Sequence, residues 1–439
     1  MSHYKPYPVY KESGVEWLGR VPEHWDIRSV KTLARLDGGA GFPDDEQGQS
    51  DNPIPFFKVA ELASGLRDTA NTVTEETAKR LGAKIFPPST LVFAKVGAAL
   101  LLNRRCLLEM PACLDNNMMA LLPGTYESQW LFWVFCTLDM GLIANPGAVP
   151  SINQEQVGNI RLGVPTIAEQ KSIAQSLRRE TARIDALIEK KARFIELLRE
   201  KRQALITHAV TKGLNPNVKM KNSGVEWLGE VPEHWVVAPM KYVCELLKDG
   251  THLPPPRTDE GVPLLSVRNI IDGHFTLRDD DSTISHQDYM ELCKAFIPEE
   301  GDVLLAVVGA TLGKTALIPA ALGQFHIQRS LAIFRPHHGR MNSCWLHLVF
   351  QSSLFQSLLW EHAGYSAQPG IYLGTLAGFS IPQPPLNEQT QIFSYLSERT
   401  ARLDSLIRTT ESSIELLKER RSALITAAVT GQIDLREAV

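Results

Sequence analysis

The chain has 439 residues, of which 44% are apolar and 21% are charged, and its formal net charge is −4 at pH 7. This is the composition of an ordinary globular protein with room for roughly two to four domains, and it excludes a disordered or collagen-like chain. No run of about 18 apolar residues is present, so the sequence predicts no membrane span.

The six cysteines are scattered through the chain and form no CxxC pair. This spacing argues against a zinc site or a disulfide framework and is typical of a reducing compartment. The first residues, MSHYKPYPVYKESG, lack the apolar core of a signal peptide. We therefore expect a cytoplasmic protein.

A short box near the start of the chain is repeated in its second half. Residues 13–25 read SGVEWLGRVPEHW and residues 223–235 read SGVEWLGEVPEHW, so the two copies differ at a single position. His24 and His234 are the lone histidines of these boxes, and we expect them to pack or to cap a helix rather than to catalyse. The repetition predicts two copies of one structural frame.

Each box is followed by a stretch that barely resembles its counterpart, residues 26–164 and residues 236–383. Both stretches contain short segments rich in Val, Leu and Ile and bounded by Gly and Pro, which predict strands and tight turns. The predicted strand segments are residues 53–65, 90–108 and 112–124 in the first stretch and residues 261–273, 302–318 and 324–336 in the second.

The two variable stretches nevertheless share a frame. One amphipathic helix is predicted in each, around residues 128–138 and residues 342–359. Gly97 matches Gly309 and Ala120 matches Ala332, and both matches have the same spacing in sequence. We interpret the stretches as two copies of one α+β domain whose surfaces have diverged.

Two long segments, residues 165–214 and 384–433, match each other at many positions and predict long helices. Each begins after proline and ends at glycine, Gly213 in the first and Gly431 in the second. Apolar residues recur with a spacing of eleven, about three helical turns, so that they form one nearly straight stripe. The residues predicted to pack the two helices together are Ile173, Leu177, Ile184, Ile188, Ile195 and Ile206 in the first and Ile392, Leu396, Leu403, Ile407, Ile414 and Ile425 in the second.

A single helix cannot bury such a stripe, and its simplest partner is its own copy. The sequence thus predicts an α+β protein in which two long helices form an antiparallel intramolecular coiled coil with a pseudo-twofold repeat. A coiled-coil arm for dimerisation is the alternative for the helices alone. The predicted segments are 1–164 (box and first domain), 165–214 (first helix), 215–383 (linker, box and second domain) and 384–439 (second helix and tail).

The sequence carries no motif of a known catalytic site. GATLGKT at residues 309–315 is one residue short of a phosphate-binding loop, because Gly309 has three residues, and not four, before Gly313. Glu189 and Lys191 have a spacing seen in nuclease sites, but they lie on the polar face of the predicted helix. We expect neither catalysis nor a bound metal ion.

The repeated features resemble one protein family. Both long helices begin with P-x-x-x-EQ, which places Glu169–Gln170 in the first and Glu388–Gln389 in the second, and both copies of the plan carry the SGVEWLGxVPEHW box. Together these features, which cover essentially the whole chain, resemble the specificity subunit of type I restriction–modification enzymes.

This resemblance implies a function in DNA recognition. Each variable stretch would be a target recognition domain that reads one half of a bipartite, asymmetric double-stranded DNA sequence. The paired helices would set the spacer and bind two modification subunits, which methylate adenine with S-adenosylmethionine. Restriction subunits that use ATP and Mg²⁺ would join this core, and the chain itself would bind no cofactor.

Base recognition requires Arg or Lys opposite guanine and Asn or Gln opposite adenine. The candidates in turns that follow the predicted strands are Lys58, Lys95, Asn103, Arg104, Arg105, Asn116 and Asn117 in the first domain and Arg257, Arg268, Asn269, Lys314, Gln328, Arg329 and Gln368 in the second. Phosphate contact is an open alternative for each of them, and Asn116–Asn117 and Gln328–Arg329, which we match to each other, could equally be structural.

Two other functions are compatible with the residues alone. The protein could be an assembly scaffold whose helices bridge partners without binding DNA, or an enzyme, a nuclease or ATPase, that uses Lys314. Alanine variants of Arg105 or Arg268 that leave DNA binding unchanged would favour the scaffold. Turnover that is lost in Lys314→Ala would favour the enzyme.

Overall fold

The computed structural model describes residues 4–124, 126–320, 322–364 and 369–436. The chain divides into two compact units, and each contains part of both long helices. The first unit comprises Met1–Lys191 and Ser412–Val439, and the second comprises Ala192–Glu411. The compact units therefore do not follow the linear segments of the sequence. No helix in the described ranges is long and apolar enough to cross a membrane.

The first unit contains short strands and helices around one antiparallel sheet. Its strands are β1 (Tyr10–Glu12), β2 (Arg20–Pro22), β3 (Asp26–Ser29), β4 (Ala34–Gly38), β5 (Ile54–Phe57), β6 (Thr72–Val73), β7 (Leu91–Ala94), β8 (Arg105–Leu107), β9 (Cys113–Leu114), β10 (Met118–Pro123) and β11 (Arg161–Val164). Its short helices are α1 (Val30–Leu33), α2 (Glu75–Arg80), α3 (Ala98–Leu101), α4 (Ser128–Cys136), α5 (Met140–Ile143) and α6 (Gln154–Gly158).

Four strands form the main sheet of the first unit in the order β4-β10-β7-β8, and β5 lies in a second sheet between β6 and β9. Side chains of β7 alternate between two faces, as a strand buried on both sides requires. Leu91 and Phe93 face a core shared with α4 and the long helices, whereas Val92 and Ala94 face a smaller core. The sheet is thus packed on one face against the helical frame.

The first long helix, α7, spans Ile167–Lys212. Except for the C-terminal part of the second long helix, which belongs to the first unit, the elements that follow belong to the second unit. Its strands are β12 (Met220–Asn222), β13 (Glu230–Pro232), β14 (Val236–Pro239), β15 (Cys244–Asp249), β16 (Val262–Leu265), β17 (Ile270–Ile271), β18 (His274–Phe275), β19 (Thr283–Ile284), β20 (Val303–Ala306), β21 (Thr315–Leu317), β22 (His326–Ile327), β23 (Leu331–Pro336) and β24 (Ser380–Gln383). Its helices are α8 (Met240–Val243), α9 (His286–Cys293), α10 (Ser343–Gln351), α11 (Ser353–Glu361), α12 (Leu373–Gly378) and the second long helix, α13 (Leu386–Val429).

The main sheet of the second unit has the order β15-β23-β20-β21-β18-β17, and β16 lies between β19 and β22. Its first four strands repeat the first unit's sheet, and β17 and β18 extend it. Val303 and Leu305 of β20 face the core that contains α10 and the long helices, while Leu304 and Ala306 face a smaller core. The prediction of two α+β copies with long helices that pack together is confirmed.

The sheet register corrects one match made from the sequence. Ala120 pairs with Val92 of β7, whereas Ala332 pairs with Leu305 of β20. Because Ala94 and Ala306 end the equivalent strands, Ala120 corresponds to Ile333, and the match of Ala120 with Ala332 is wrong by one residue. The connection between β7 and β8 is longer than that between β20 and β21, whereas the connection between β8 and β9 is shorter than that between β21 and β22. These two differences in length nearly cancel, so the sequence match was displaced by a single residue.

The long helices pack in opposite directions. In the first unit Arg421 lies 2.8 Å from Asp185, and in the second Arg202 lies 3.1 Å from Asp404. Of the stripe, Ile188 and Ile414 are half-buried. The other stripe residues are buried: Ile173, Leu177, Ile184, Ile195 and Ile206 of α7 and Ile392, Leu396, Leu403, Ile407 and Ile425 of α13.

Candidate nucleic-acid interface

One edge of the first domain's sheet gathers four loop segments around the turn between β9 and β10. Asp115 holds this turn: its backbone N–H donates to Phe57 O at 2.9 Å, and its Oδ2 accepts from Val59 N at 2.8 Å. Lys95 N donates to Asn117 O at 2.8 Å. We call this surface the loop edge, and in the first domain it consists of residues 39–40, 58–59, 95–97 and 115–117.

The second domain builds the same edge with different residues. Gln328 N donates to Leu265 O at 2.9 Å, and Val307 N donates to Ser330 O at 3.0 Å. Ser330 Oγ also accepts from Val267 N at 3.3 Å, as Asp115 does from Val59 in the first domain. The loop edge of the second domain consists of residues 250–251, 266–267, 307–309 and 328–330.

A glycine brings two backbone segments together at each loop edge. A Cβ atom on Gly39 would lie 1.9 Å from Asp115 O, and one on Gly250 would lie 2.3 Å from Gln328 O. No other residue type fits at this distance from backbone atoms. The loop edge is therefore held rigidly in both domains, as a recognition surface requires.

Four candidates of the first domain lie on its loop edge. Asn116 is exposed at the tip of the turn, while Asn117, Lys58 and Lys95 are half-buried. Lys58 Nζ donates to Gln47 Oε1 at 2.7 Å, so part of its hydrogen-bonding capacity is used within the domain. Asn116 is the candidate of this set that is best placed to meet a ligand.

The three consecutive candidates Asn103, Arg104 and Arg105 have side chains in different environments. Asn103 donates to Asp139 Oδ1 at 2.8 Å and accepts from Met140 N at 2.9 Å. The Arg105 guanidinium donates to Leu138 O and Asn103 O, and burial lowers its pKa. Both side chains are half-buried and engaged inside the domain, which makes Asn103 and Arg105 weaker candidates for DNA contact than residues with free side chains. Arg104 is exposed.

Two candidate arginines of the second domain, Arg257 and Arg329, are exposed. Arg268 is also exposed, but its guanidinium lies 2.8 Å from Asp281 and 3.2 Å from Asp280. The hydrogen bond to Asp281 raises the pKa of Arg268. Its charge is thus already compensated by two carboxylates, and Arg329 is the stronger candidate on this loop edge.

The remaining candidates discussed for the second domain are three residues with amide side chains. Asn269 is fully buried and donates to Thr276 O at 3.0 Å and to Asp281, so in this fold its side chain is not accessible to DNA. Gln328 is half-buried and donates to Leu264 O at 3.1 Å, in the position that Asp115 occupies in the first domain. Gln368 lies outside the described residues.

The GATLGKT segment forms the connection between β20 and β21 and is followed by a strand. Several of its backbone N–H groups are engaged: Gly309 N donates to Pro369 O, Gly313 N to Ala306 O and Lys314 N to Thr311 O. A phosphate loop needs free N–H groups at the start of a helix. Lys314 is an exposed cation at this connection and is not part of a nucleotide site.

A cleft of about 850 Å³ in the second unit lies beside Lys314. Two arginines of α7 line it and are paired with α13: Arg199 lies 2.9 Å from Glu411, and Arg202 lies 3.1 Å from Asp404. Lys314 and Arg408 line the same cleft. Three carboxylates, Asp272, Asp404 and Glu411, line it as well, so the cations and anions of the cleft nearly balance.

The repeated box holds the start of each long helix. Glu169 of α7 is buried and accepts from Trp25 Nε1 at 3.2 Å, and its other oxygen lies 2.9 Å from His24 Nε2. Tyr7 Oη adds a donor at 2.6 Å. His24 thus contacts the first turn of α7 through the carboxylate of the EQ motif.

The second box repeats this arrangement. Trp235 Nε1 donates to Glu388 Oε1 at 3.1 Å, and His234 Nε2 lies 2.7 Å from Glu388 Oε2. The glutamines that follow also act alike. Gln170 accepts from Glu127 N and Gln389 accepts from Asn342 N, which ties each helix to the segment preceding α4 or α10.

The ion pairs between the long helices were missed from the sequence. Asp185 and Asp404 occupy equivalent positions of the repeat, and so do Arg202 and Arg421. Identical charged residues inside a diverged repeat are the signal that could have identified them. They join α7 and α13 at equivalent positions of the two units.

No group of three or more His, Cys, Asp or Glu side chains in the described ranges could hold a metal ion. The six cysteines are free, and burial raises the pKa of Cys106 and Cys113 to about 11. These thiols are protonated and poorly nucleophilic at neutral pH.

Comparisons with known proteins agree with this architecture. A family model described as "Type I restriction modification DNA specificity domain" matches residues 22–197 and again residues 232–416. The chain is 23% identical over 300 residues to the type I restriction enzyme MjaVIII specificity subunit of Methanocaldococcus jannaschii, and the alignment covers 66% of this chain and 65% of that protein. It is 20% identical over 437 residues to the EcoBI specificity subunit of Escherichia coli, covering 96% of this chain and 89% of that protein.

Solved structures share the fold. A chain from a study of complex assembly and conformational transition of the type I R–M system has a TM-score of 0.72 at 17% identity, covering 94% of this chain and 99% of that chain. The HsdS subunit from Thermoanaerobacter tengcongensis has a TM-score of 0.54 at 17% identity, covering 94% and 98%. Because the family model matches both domains and most of the sequence, the chain belongs to the type I restriction–modification DNA specificity domain family.

Proposed function

We propose that this chain is the DNA-recognition subunit of a type I restriction–modification complex and that each domain reads one half of a bipartite, asymmetric target. The observation that carries the proposal is the loop edge, which has one backbone geometry in both domains but exposes Asn116 in the first and Arg329 in the second. Two readers with one geometry and different side chains recognise different half-sites.

The charge of the chain supports action inside a complex. A protein that binds DNA alone usually carries a basic surface, whereas this chain has a net charge of −4. Two modification subunits, and restriction subunits where present, would supply much of the phosphate contact. S-adenosylmethionine, ATP and Mg²⁺ would bind to those partners, and this chain would catalyse nothing.

The paired helices would set the spacer between the half-sites and hold the modification subunits. Their lengths, 46 residues for α7 and 44 for α13, and their eleven-residue stripe support this role. Insertion of two stripe periods into both helices keeps the buried face in register and adds about 33 Å. The spacer should then lengthen by roughly ten base pairs, one turn of DNA, which presents the second half-site on the same side; an unchanged spacer in an active complex would contradict the role.

Methylome sequencing of cells that express this chain with its modification partner tests the proposal. We expect a bipartite, asymmetric motif methylated at adenine, which disappears when the gene is deleted. Replacement of residues 236–383 by the same stretch of a relative should change one half of the motif and leave the other. An assembled, active complex without a motif, or one in which both halves change together, would refute it.

The scaffold alternative is not favoured, since the family model that matches both domains describes a DNA specificity domain. The enzyme alternative lacks support as well, because Lys314 precedes a strand and not the helix that a phosphate-binding loop requires.

A further inference from the structure

The sheet registers identify which exposed residues of the two domains are equivalent. Arg105 pairs with Phe93 of β7, and Thr315 pairs with Leu305 at the equivalent position of β20. Arg105 therefore corresponds to Thr315, and the residues just before them, Arg104 and Lys314, correspond to each other. On the loop edge, Asp115 and Gln328 begin the equivalent turns, so Asn116 corresponds to Arg329. The sequence-based match of Asn116–Asn117 with Gln328–Arg329 is therefore shifted by one residue.

The position of Arg104 and Lys314 is cationic in both domains although the loops around it differ in length and sequence. Each cation follows a residue with left-handed backbone, Asn103 with φ 52° and Gly313 with φ 90°. Both side chains are exposed, and neither makes a hydrogen bond or ion pair within the described part of the chain. The fold thus presents a free positive charge at one place in each domain.

The position of Asn116 and Arg329 behaves differently. Both residues are exposed at the tip of a turn that Gly39 or Gly250 holds rigidly, but one is an amide and the other a guanidinium. Within the described ranges neither side chain has a hydrogen-bond partner. At this position the two domains have equivalent backbone turns but side chains of different chemistry.

Two half-sites of one duplex share their phosphodiester backbone but not their bases. A cation kept at one place in both readers therefore suits phosphate, and a position where the chemistry differs suits the bases. We propose that Arg104 and Lys314 anchor a backbone phosphate in their respective half-sites, that Asn116 reads an adenine in one half-site, and that Arg329 reads a guanine in the other. The proposal rests on the proposed function and assigns residues to it.

Geometry gives the choice of bases. An Asn side chain makes a bidentate contact with adenine N6 and N7, and an Arg side chain does so with guanine O6 and N7. Lys314 lines the same cleft as Arg408, although Asp272, Asp404 and Glu411 line it too, so the contact proposed for Lys314 is with a phosphate at the exposed rim of the cleft. A phosphate contact contributes affinity that is independent of sequence and falls with salt.

The experiment uses the complex assembled with the modification subunits and measures both the methylated motif and DNA affinity across salt concentrations. Arg329→Ala should relax one guanine position in one half-site and lower affinity for the wild-type target by about 5- to 150-fold, the range of one bidentate contact. Asn116→Ala should relax an adenine in the other half-site. Asn116→Arg should shift that position from adenine towards guanine.

Lys314→Gln and Arg104→Gln should leave the motif unchanged. Each should weaken binding to specific and unrelated DNA by the same factor and reduce the slope of log affinity against log salt by about one. Lys79→Gln is the matched control, since Lys79 is an exposed cation on α2 and outside the loop edge, and its salt slope should equal that of the wild type.

A changed motif in Lys314→Gln or Arg104→Gln, or an unchanged motif in both Asn116→Ala and Arg329→Ala, would overturn the assignment. Thermal unfolding of each variant complex shows whether it remains folded. The Arg329→Lys variant keeps the positive charge but loses the two parallel donors of the guanidinium, so the preference for guanine at that position should still weaken. If the wild-type complex itself has no motif, the proposed function fails, which is a distinct result.

Discussion

Trp25 Nε1 donates a hydrogen bond to Glu169 Oε1 at 3.2 Å and thereby joins the repeated box to the start of the first long helix. Trp235 and Glu388 make the same bond at 3.1 Å in the second unit. The two sequence features that identify each repeat are therefore one structural device. This hydrogen bond holds the first turn of the long helix against the domain that precedes it in sequence.

Loss of the Glu169 carboxylate should destabilise the first unit. The Glu169→Ala variant leaves Tyr7 Oη, Trp25 Nε1 and His24 Nε2 without their acceptor, and the first two are buried. We expect a loss of about 2–4 kcal/mol in the free energy of unfolding. Hydrogen exchange measured by mass spectrometry should show faster exchange in peptides of the first unit and not in those of the second.

Glu388→Ala provides the comparison. Its side chain is 27% exposed and, within the described ranges, accepts hydrogen bonds from His234 and Trp235, so water can supply some of the hydrogen bonds that the substitution removes. The expected destabilisation is about 1–2 kcal/mol and confined to the second unit. Equal losses in both variants, or losses spread across both units, would contradict the role assigned to these carboxylates.

Much of the frame follows from sequence because it depends on local patterns. Proline, the EQ motif and the eleven-residue stripe predict a helix over 165–214, and the structure has it from Ile167 to Lys212. Gly213 ends it with φ 74°, a conformation that favours glycine. The short strands were located by their apolar runs for the same reason.

The candidate contacts were harder to predict because they depend on tertiary partners. Nothing local distinguishes Asn269, which is buried against Asp281, from Asn116, which is exposed at a turn. Arg105 likewise bonds to Leu138 O, a residue far along the chain. Residue type and position in a turn therefore identify a pool of candidates, and the fold selects among them.

Alanine at either close-contact glycine should disrupt the loop edge of that domain alone. A Cβ on Gly39 or Gly250 would overlap a backbone carbonyl, which cannot move without displacing the turn that carries Asn116 or Arg329. We expect Gly39→Ala to cost about 2–4 kcal/mol and to abolish recognition of one half-site.

Gly41→Ala is the control, because a Cβ there meets no atom within 4 Å. Its stability and its methylated motif should match those of the wild type. A Gly39→Ala protein with the wild-type motif would show that the turn tolerates displacement and that the loop edge is not the reading surface.

The ion pairs between the long helices should contribute little stability. Arg202 and Asp404 are 31% and 38% exposed, so water screens their attraction. A double-mutant cycle with Arg202→Gln and Asp404→Asn should give a coupling of about 0.2–1 kcal/mol that decreases as salt is added. A coupling above about 2 kcal/mol would instead indicate a desolvated pair that helps to hold the helices together.

Acid should destabilise the second unit through His347 of α10. Burial lowers the pKa of His347 from 6.5 to about 4, and the charges of Arg202 and His274 act in the same direction. Its Nε2 accepts a hydrogen bond from the Gln351 amide at 3.1 Å, which requires the neutral ring. The folded state therefore excludes a proton that the unfolded chain takes up.

The sign of the effect follows from proton linkage. Between pH 6.5 and about 4 the unfolded state binds more protons than the folded state, so the stability contributed by neutral His347 is complete above pH 6.5 and is lost as the pH falls. Chemical denaturation at several pH values should show a shallower loss for His347→Gln than for the wild type, while His338→Gln, at an exposed position, should follow the wild type. Identical pH profiles for wild type and His347→Gln would mean that the pKa of this ring is the same in the folded and the unfolded protein, so that the packing of α10 against β21 accommodates the charged ring as readily as water does.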